Sequence, residues 1–264
     1  MTAAMSEQAL VGRHALVCGA SRGIGRAVAE ALAARGASVT LLARNAEMLS
    51  EVRDALPIVG KARHSALAAD LEDTAKLSER IESVHQPVHV LVNNAGGPPG
   101  GPILGAEPDA FRKGFERLLI AAQLLAQKFV PGMREAGYGR IVNVISTSVR
   151  EPIPNLGVSN TLRGACAAWA KTLSRELAAD GITVNNVLPG FTATDRLKHL
   201  LETRAERAGK TLAEMEEMTR TQVPAARFAK PTEIAAAVAF LASPAAGYVT
   251  GVSLPVDGGR LHGI

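Results

Sequence analysis

A doubly wound α/β fold, with a mostly seven-stranded parallel sheet flanked by helices, is what three observations in this sequence predict. Short apolar runs alternate with helix-like segments from one end of the chain to the other. Those runs are continuously apolar rather than alternating, as strands buried on both faces are. The 264 residues contain no linker, repeat or low-complexity tract that would divide them, so 1–264 is read as one domain.

Each element follows from the local pattern. The run 15–17 reads as the first strand, and the amphipathic, alanine-rich segment 26–35 as the first helix. Residues 37–43 give a second buried strand that ends at Arg44-Asn45, and a helix spans about 46–56. A weaker third strand, 62–69, stops at Asp70-Leu71 and is followed by a polar helix, 74–84. The fourth strand, 88–92, is closed by Asn93-Asn94-Ala95-Gly96. After a Gly/Pro-rich loop come a long helix over about 108–136, a fifth strand at 140–146 and a long helix of small residues at 157–179. The sixth strand, 182–188, is broken by Pro189-Gly190. The stretch 191–222 is polar, charged and helical, and suits a lid. A helix at 231–242 and a short strand at 251–256 precede Asp257-Gly258-Gly259. Ligands of such sheets bind beyond the carboxyl ends of the strands. Arg44, Asp70, Asn94, Ser146 and Pro189-Gly190 all fall on that edge and are candidates for one site.

Composition removes several classes of function. Formal charge is +4, from 29 Lys and Arg against 25 Asp and Glu, and the two signs are interleaved. No basic stripe with aromatics runs through the chain, so nucleic acid is not an expected partner. Cys18 should end a buried strand and Cys166 should lie within a helix, as small buried hydrophobes rather than a disulfide or metal pair. No metal site is expected. Residues 1–8 lack a basic region followed by an apolar core, and no apolar run approaches a membrane span. A cytoplasmic protein without membrane association is the expectation.

The stretch Cys18-Gly19-Ala20-Ser21-Arg22-Gly23-Ile24-Gly25 lies between the first strand and the first helix. Three glycines permit positive φ and close backbone approach. The free N–H groups and positive dipole end of the helix then face the turn, which suits a phosphate. The spacing is Gly-x-x-x-Gly-x-Gly, not the commoner Gly-x-Gly-x-x-Gly.

Taken with the later blocks, the chain resembles the short-chain dehydrogenase/reductase family, in particular its β-ketoacyl-carrier-protein reductase-like members. The matching pieces are the glycine turn, Asp70-Leu71, Asn93-Asn94-Ala95-Gly96 and Gly139-Arg140-Ile141-Val142-Asn143. Further on they are Gly181-Ile182-Thr183-Val184-Asn185, Pro189-Gly190 with Thr194, and Val256-Asp257-Gly258-Gly259. The resemblance implies a Rossmann-type domain that binds a nicotinamide cofactor. Gly19, Ser21, Arg22, Gly23, Ile24 and Gly25 would then cradle it, while Asp70 and Leu71 would contact the adenine. Asn94, Ala95 and Gly96 would lie by the ribose, and Pro189, Gly190 and Thr194 by the nicotinamide. Asp70 also fits a helix N-cap with no ligand contact. The cofactor's identity follows from charge. An NAD site places a carboxylate at the end of the second strand. Here Ala43 and then Arg44 stand there, and Arg22 adds a second cation. Two guanidinium groups with no acid between them suit a 2′-phosphate, hence NADP(H). The resemblance further implies a homodimer or homotetramer packed through helices around 115–128 and 157–179.

The chain departs from the family at its catalytic residues. The family has a serine after the fifth strand, a tyrosine thirteen positions on and a lysine four further, with an asparagine on the preceding helix. Here the serine is Ser146, but the later positions hold Ser159 and Arg163, and the asparagine position holds Leu118. A serine hydroxyl is a far weaker acid than a phenol, and Arg163 cannot release a proton at ordinary pH. Arg163 keeps the positive charge and suits the nicotinamide ribose. Tyr138 and Tyr248 are poorly placed to substitute, whereas His199, Arg150 and Arg196 border the expected cleft. Two readings follow. One is an NADP(H)-dependent oxidoreductase of a small carbonyl or alcohol substrate, using Ser146, Ser159 and Arg163. The other is a catalytically inactive NADP(H)-binding sensor or partner subunit.

Overall fold

The structure, a computed structural model, describes residues 8–263. The expectation that no secretory leader is present falls almost wholly on 1–7, outside the described residues. The strands are β1 (His14–Cys18), β2 (Ser38–Ala43), β3 (Ser65–Ala68), β4 (Val90–Asn94), β5 (Gly139–Val144), β6 (Ile182–Pro189) and β7 (Ser253–Val256). They form one parallel seven-stranded sheet in the order β3-β2-β1-β4-β5-β6-β7. Every residue of β1 and β5 is buried, and their apolar stretches, 15–17 and 141–142, are continuous because both faces of the sheet are covered.

The helices are α1 (Gly23–Ala34), α2 (Ala46–Ala55), α3 (Thr74–Ile81), α4 (Pro108–Phe115), α5 (Ala121–Glu135), α6 (Gly157–Leu177), α7 (Asp195–Ala208), α8 (Leu212–Arg220) and α9 (Pro231–Ala242). On one face Val28 and Leu32 of α1 share a core with Leu49 and Val52 of α2 and with Ile234 and Val238 of α9. On the other, Leu77 of α3, Leu125 and Phe129 of α5 and Ala170 of α6 pack under Leu16, Leu91 and Ile141 of the sheet. Burying one such leucine or phenylalanine is worth about 1.5–3 kcal/mol, so both faces are needed to hold the sheet.

Three differences from the sequence reading have physical causes. β4 runs on through Asn93 and Asn94 instead of stopping at Val92. Asparagine is a poor strand former, but here the amides bond across the sheet. Asn93 donates to Asn143 (2.8 Å), Asn143 to Asn186 (3.0 Å) and Asn186 to Ser253 (3.0 Å), a polar row in register over four strands. β3 is shorter than 62–69, as suits an edge strand with one neighbour. The long helix at 108–136 is interrupted by a π-helical turn, Glu116–Ile120, between α4 and α5. Such a turn takes one extra residue and re-aims the side chains on it, here including Leu118.

Candidate active site

The glycine turn leaves β1 where the strand order reverses, between β1 and β4. Gly19 and Gly23 take left-handed backbone, with φ of +60° and +57°. A Cβ on Gly25 would collide with the Gly19 carbonyl and stand 2.7 Å from Asn94 Nδ2. The Asn94 amide donates to the carbonyls of Cys18 (3.2 Å) and Gly19 (3.4 Å), so β4 clamps the turn from its side.

The N-terminus of α1 is open chemically. Helices α2, α3, α7 and α8 are capped by the side chains of Asn45, Asp73, Thr194 and Thr211. α1 has Arg22 at its N-cap, no side-chain cap and no acid in its first turn. Its first N–H groups and positive dipole end are therefore available to an external anion. This arrangement fits a cofactor phosphate.

The two selector arginines are less free than their local sequence predicts. Arg22 Nη1 lies 4.0 Å from Asp195, and Arg44 Nη1 lies 3.9 Å from Asp70. Both acids arrive from other strand ends, where local reading could not find them. Both pairs are long and exposed and hold the arginines weakly. The cap reading of Asp70 is also corrected. Asp73 caps α3, whereas Asp70 accepts from the Glu72 N–H at 3.0 Å in a local turn. Leu71 packs partly buried against the α3–α5 face of the sheet, and Gly96 is exposed.

A cleft of about 650 Å³ opens above the carboxyl ends of β4, β5 and β6. Ile24, Asn94, Ala95, Pro189, Gly190 and Thr194 line it together with Ser146 and, from α6, Ser159 and Arg163, whereas Gly19, Ser21, Arg22, Gly23, Gly25, Arg44, Asp70, Leu71 and Gly96 do not line this cleft. Gly190 is required by close packing, because a Cβ there would stand 2.8 Å from Asp257 Cα. Ser146 Oγ accepts from the Ser148 N–H at 3.1 Å, which leaves the Ser146 hydroxyl proton to point elsewhere. Arg163 is 8% exposed. It donates from Nη1 to the Ile145 carbonyl (2.6 Å) and from Nε to Ser159 Oγ (3.2 Å). Burial, and after it the Arg196 charge, pushes the Arg163 pKa down to about 10, so it remains a cation at neutral pH.

The sequence matches the family model described as enoyl-(acyl carrier protein) reductase over residues 19–260. Across 255 residues it is 37% identical to a 3-oxoacyl-[acyl-carrier-protein] reductase of Vibrio cholerae, covering 95% of this chain and 98% of that one. It is 32% identical over 264 residues to an NADPH-dependent reductase of Bacillus subtilis, covering 96% and 99%. Among solved structures, an L-sorbose reductase from Gluconobacter frateurii complexed with NADPH and L-sorbose superposes with a TM-score of 0.91 at 30% identity, over 98% of this chain and 100% of that one. The chain belongs to the short-chain dehydrogenase/reductase family. It is an oxidoreductase of that family by descent, on a Rossmann-type sheet.

Against the family pattern, Ser159 and Arg163 occupy the cleft at the positions where the sequence reading expects tyrosine and lysine. Leu118, at the asparagine position, lies in the π turn and packs with Ile145, Leu162, Cys166 and Leu188. It borders a small cavity of about 20 Å³ beside Asn93 and Asn143. No tyrosine takes over. Tyr138 is buried at the far end of β5, donating to the Ala242 carbonyl at 2.6 Å, and Tyr248 is fully exposed. Cys18 and Cys166 are buried and unbridged, and burial raises their pKa values to about 12 and about 11, which makes both inert thiols. His199 reaches the cleft rim with an exposed ring, whereas Arg150 lies off the cleft and donates to the Ser253 carbonyl.

Sequence reasoning missed Arg204, Arg207 and Arg260, which also line the cleft. The first two carried a signal. Positions 196, 200, 204 and 207 recur every three or four residues and so share one face of α7. For Arg260 no local signal exists, because the fold alone brings it to Thr147, where Nη1 donates to Oγ1 at 2.9 Å.

Proposed function

We propose that this protein is an NADP(H)-dependent reductase of a small carbonyl compound, working with an altered proton-handling set. The observation that carries the reading is the single cleft in which Ser146, Ser159 and Arg163 face Pro189, Gly190 and Thr194. The NADPH named for the Gluconobacter and Bacillus proteins supports the cofactor, as does the open α1 N-terminus with Arg22 and Arg44 beside it.

When bound, the cofactor supplies a hydride to the substrate carbon or takes one from it. The rest falls to the chain. The turn from Gly19 to Gly25, with Ser21, Gly23 and Ile24, would seat the pyrophosphate, and Arg22 and Arg44 the 2′-phosphate. Asp70 and Leu71 would border the adenine, Asn94, Ala95 and Gly96 the ribose, and Pro189, Gly190 and Thr194 the nicotinamide. Arg163 would also reach the nicotinamide ribose. Ser146 and Ser159 each accept a hydrogen bond within the protein, so each hydroxyl proton is free to go to the substrate oxygen. The Arg163 cation, held against Ser159, offsets the negative charge that develops on that oxygen. Ser159 would regain its proton from solvent through the open cleft, since Arg163 keeps its own. Helices α7 and α8, within 191–222, would act as the lid. The helices around 115–128 and 157–179 would pair subunits into a dimer or tetramer. Among the described residues no helix is long and apolar enough to cross a membrane, and a cytoplasmic location belongs to this proposal.

The test is a fluorescence titration with NADPH, followed by turnover over ketones and 3-oxoacyl thioesters. NADPH binding with NADPH-dependent reduction is expected. Binding without any turnover would favour the sensor or partner-subunit reading instead, and no binding of either nicotinamide nucleotide overturns both.

A further inference from the structure

Across the cleft from the strand ends, positive charge collects with no acid to answer it. Arg196, Arg204 and Arg207 come from α7, Arg163 from α6 and Arg260 from near the C-terminus, and no Asp or Glu lines the cleft. Among the described residues none of these five guanidinium groups has a carboxylate within 4.0 Å. Elsewhere arginines do find acids, as Arg134 does with Asp180 (2.7 Å) and Arg227 with Glu233 (2.6 Å).

The five divide by what holds them. Arg163 and Arg196 each spend donors on the wall. Arg163 bonds to Ile145 and Ser159, and Arg196 donates to the Gly97 carbonyl at 3.3 Å. Arg260 is fixed by Thr147 and by the ring of Phe191, whose centroid lies 4.8 Å from its guanidinium carbon. That leaves most of its donors for a ligand. Arg204 is half-buried, and burial together with the facing Arg260 charge holds its pKa below the ordinary arginine range. Arg207 follows one helical turn later. Like charges brought together in a partly desolvated cleft cost free energy until an anion joins them. The same cleft is lined by Ile153, Leu156, Leu197 and Leu200, so the ligand's body is apolar.

We infer that the substrate is a small amphipathic anion, a carbonyl compound whose carboxylate or phosphate is held by Arg204 and Arg260, with Arg207 adding charge. Two arginines present fork-shaped donors suited to paired anionic oxygens. This inference rests on the proposed reductase reading, because it takes the cleft to be the substrate site.

The experiment is calorimetric titration of the NADPH-saturated protein with succinate, inorganic phosphate and the neutral control succinamide. At least one of the anions is expected to bind, with an affinity that falls as salt rises, and succinamide is not. The double variant Arg204→Gln/Arg260→Gln should weaken that binding at least about tenfold, at about 1.4 kcal/mol per tenfold, while its NADPH affinity stays within twofold. Tighter succinate points to a carboxylate substrate, and tighter phosphate to a phosphorylated one. No binding of either anion, equal binding of succinamide, or anion binding unchanged in the variant overturns the inference. The same titrations on nucleotide-free wild type and variant read the anion site even if NADPH fails to bind, so the two failures are separable.

Discussion

Arg163 Nε donates to Ser159 Oγ at 3.2 Å, four residues back along α6, while Arg163 Nη1 reaches the Ile145 carbonyl at 2.6 Å. A permanent cation is thus fixed behind a hydroxyl that borders the cleft. Replacing Ser159 by alanine leaves the bond to Ile145 and the fold intact. Steady-state kinetics on Ser159→Ala should show kcat lower by about 10- to 100-fold, with KM for NADPH within about threefold. An unchanged kcat would remove Ser159 from the proton path. The companion variant Leu118→Asn/Ser159→Tyr/Arg163→Lys installs a phenol beside a lysine. Ketone reduction should then rise by about 100-fold or more, within the range that a general acid supplies.

At Gly25 the prediction concerns close packing. A methyl group there meets the Gly19 carbonyl and Asn94 Nδ2 together, and neither can retreat, because Asn94 is already bonded to Cys18 and Gly19. Gly25→Ala should cost about 1–3 kcal/mol in denaturant unfolding and most of the NADPH affinity. Gly132, inside α5, has only Pro87 Cβ at 4.0 Å from its would-be Cβ. Gly132→Ala should be neutral, or more stable by about 1 kcal/mol. Equal effects at the two sites would refute the packing argument.

Much of this fold is legible in the sequence, because strands buried on both faces carry continuous apolar stretches, as residues 15–17 and 141–142 do. The strand end at Asn93-Asn94 was not, because the amide row that extends β4 depends on Asn143 and Asn186 arriving in register. The glycine turn and the pairing of Ser159 with Arg163 on one face of α6 could be read locally, since turn geometry and i,i+4 spacing are local properties. The acids facing Arg22 and Arg44, and the placing of Arg260 beside Thr147, arise only from long-range packing. The π turn at Leu118 has no signature in the hydrophobic period, which runs through it.

Cofactor preference can be tested at the two exposed arginines. Arg22 and Arg44 are 4.0 Å and 3.9 Å from Asp195 and Asp70, too far for strong pairing, so a 2′-phosphate would displace these contacts at little cost. In Arg22→Ala/Arg44→Ala the two carboxylates would remain and repel it. Fluorescence titration should show NADPH binding weakened by about 10- to 100-fold and NADH binding nearly unchanged, with a shallower salt dependence for NADPH. An equal loss for both nucleotides would mean that the arginines do not read the phosphate.

Acid sensitivity should centre on His14, which is remote from the cleft. It is buried in β1, where Nε2 lies 2.8 Å from Thr40 Oγ1, and that hydroxyl lies 2.8 Å from Ser65 Oγ. Burial lowers its pKa to about 4 from an ordinary 6.5, with a smaller contribution from the His89 charge. Between these values the unfolded chain takes up a proton that the folded chain refuses, so stability rises with pH across this window. The His14 contribution is complete above about pH 6.5 and is lost as pH falls towards 4, amounting to about 3 kcal/mol. Urea unfolding of wild type and His14→Gln at pH 7.5, 5.5 and 4 isolates it. Glutamine keeps a polar atom for Thr40 but does not titrate, so the variant should lose less stability between pH 7.5 and 4 by about that amount. Parallel losses in the two proteins would mean that His14 is protonated without cost in the folded state.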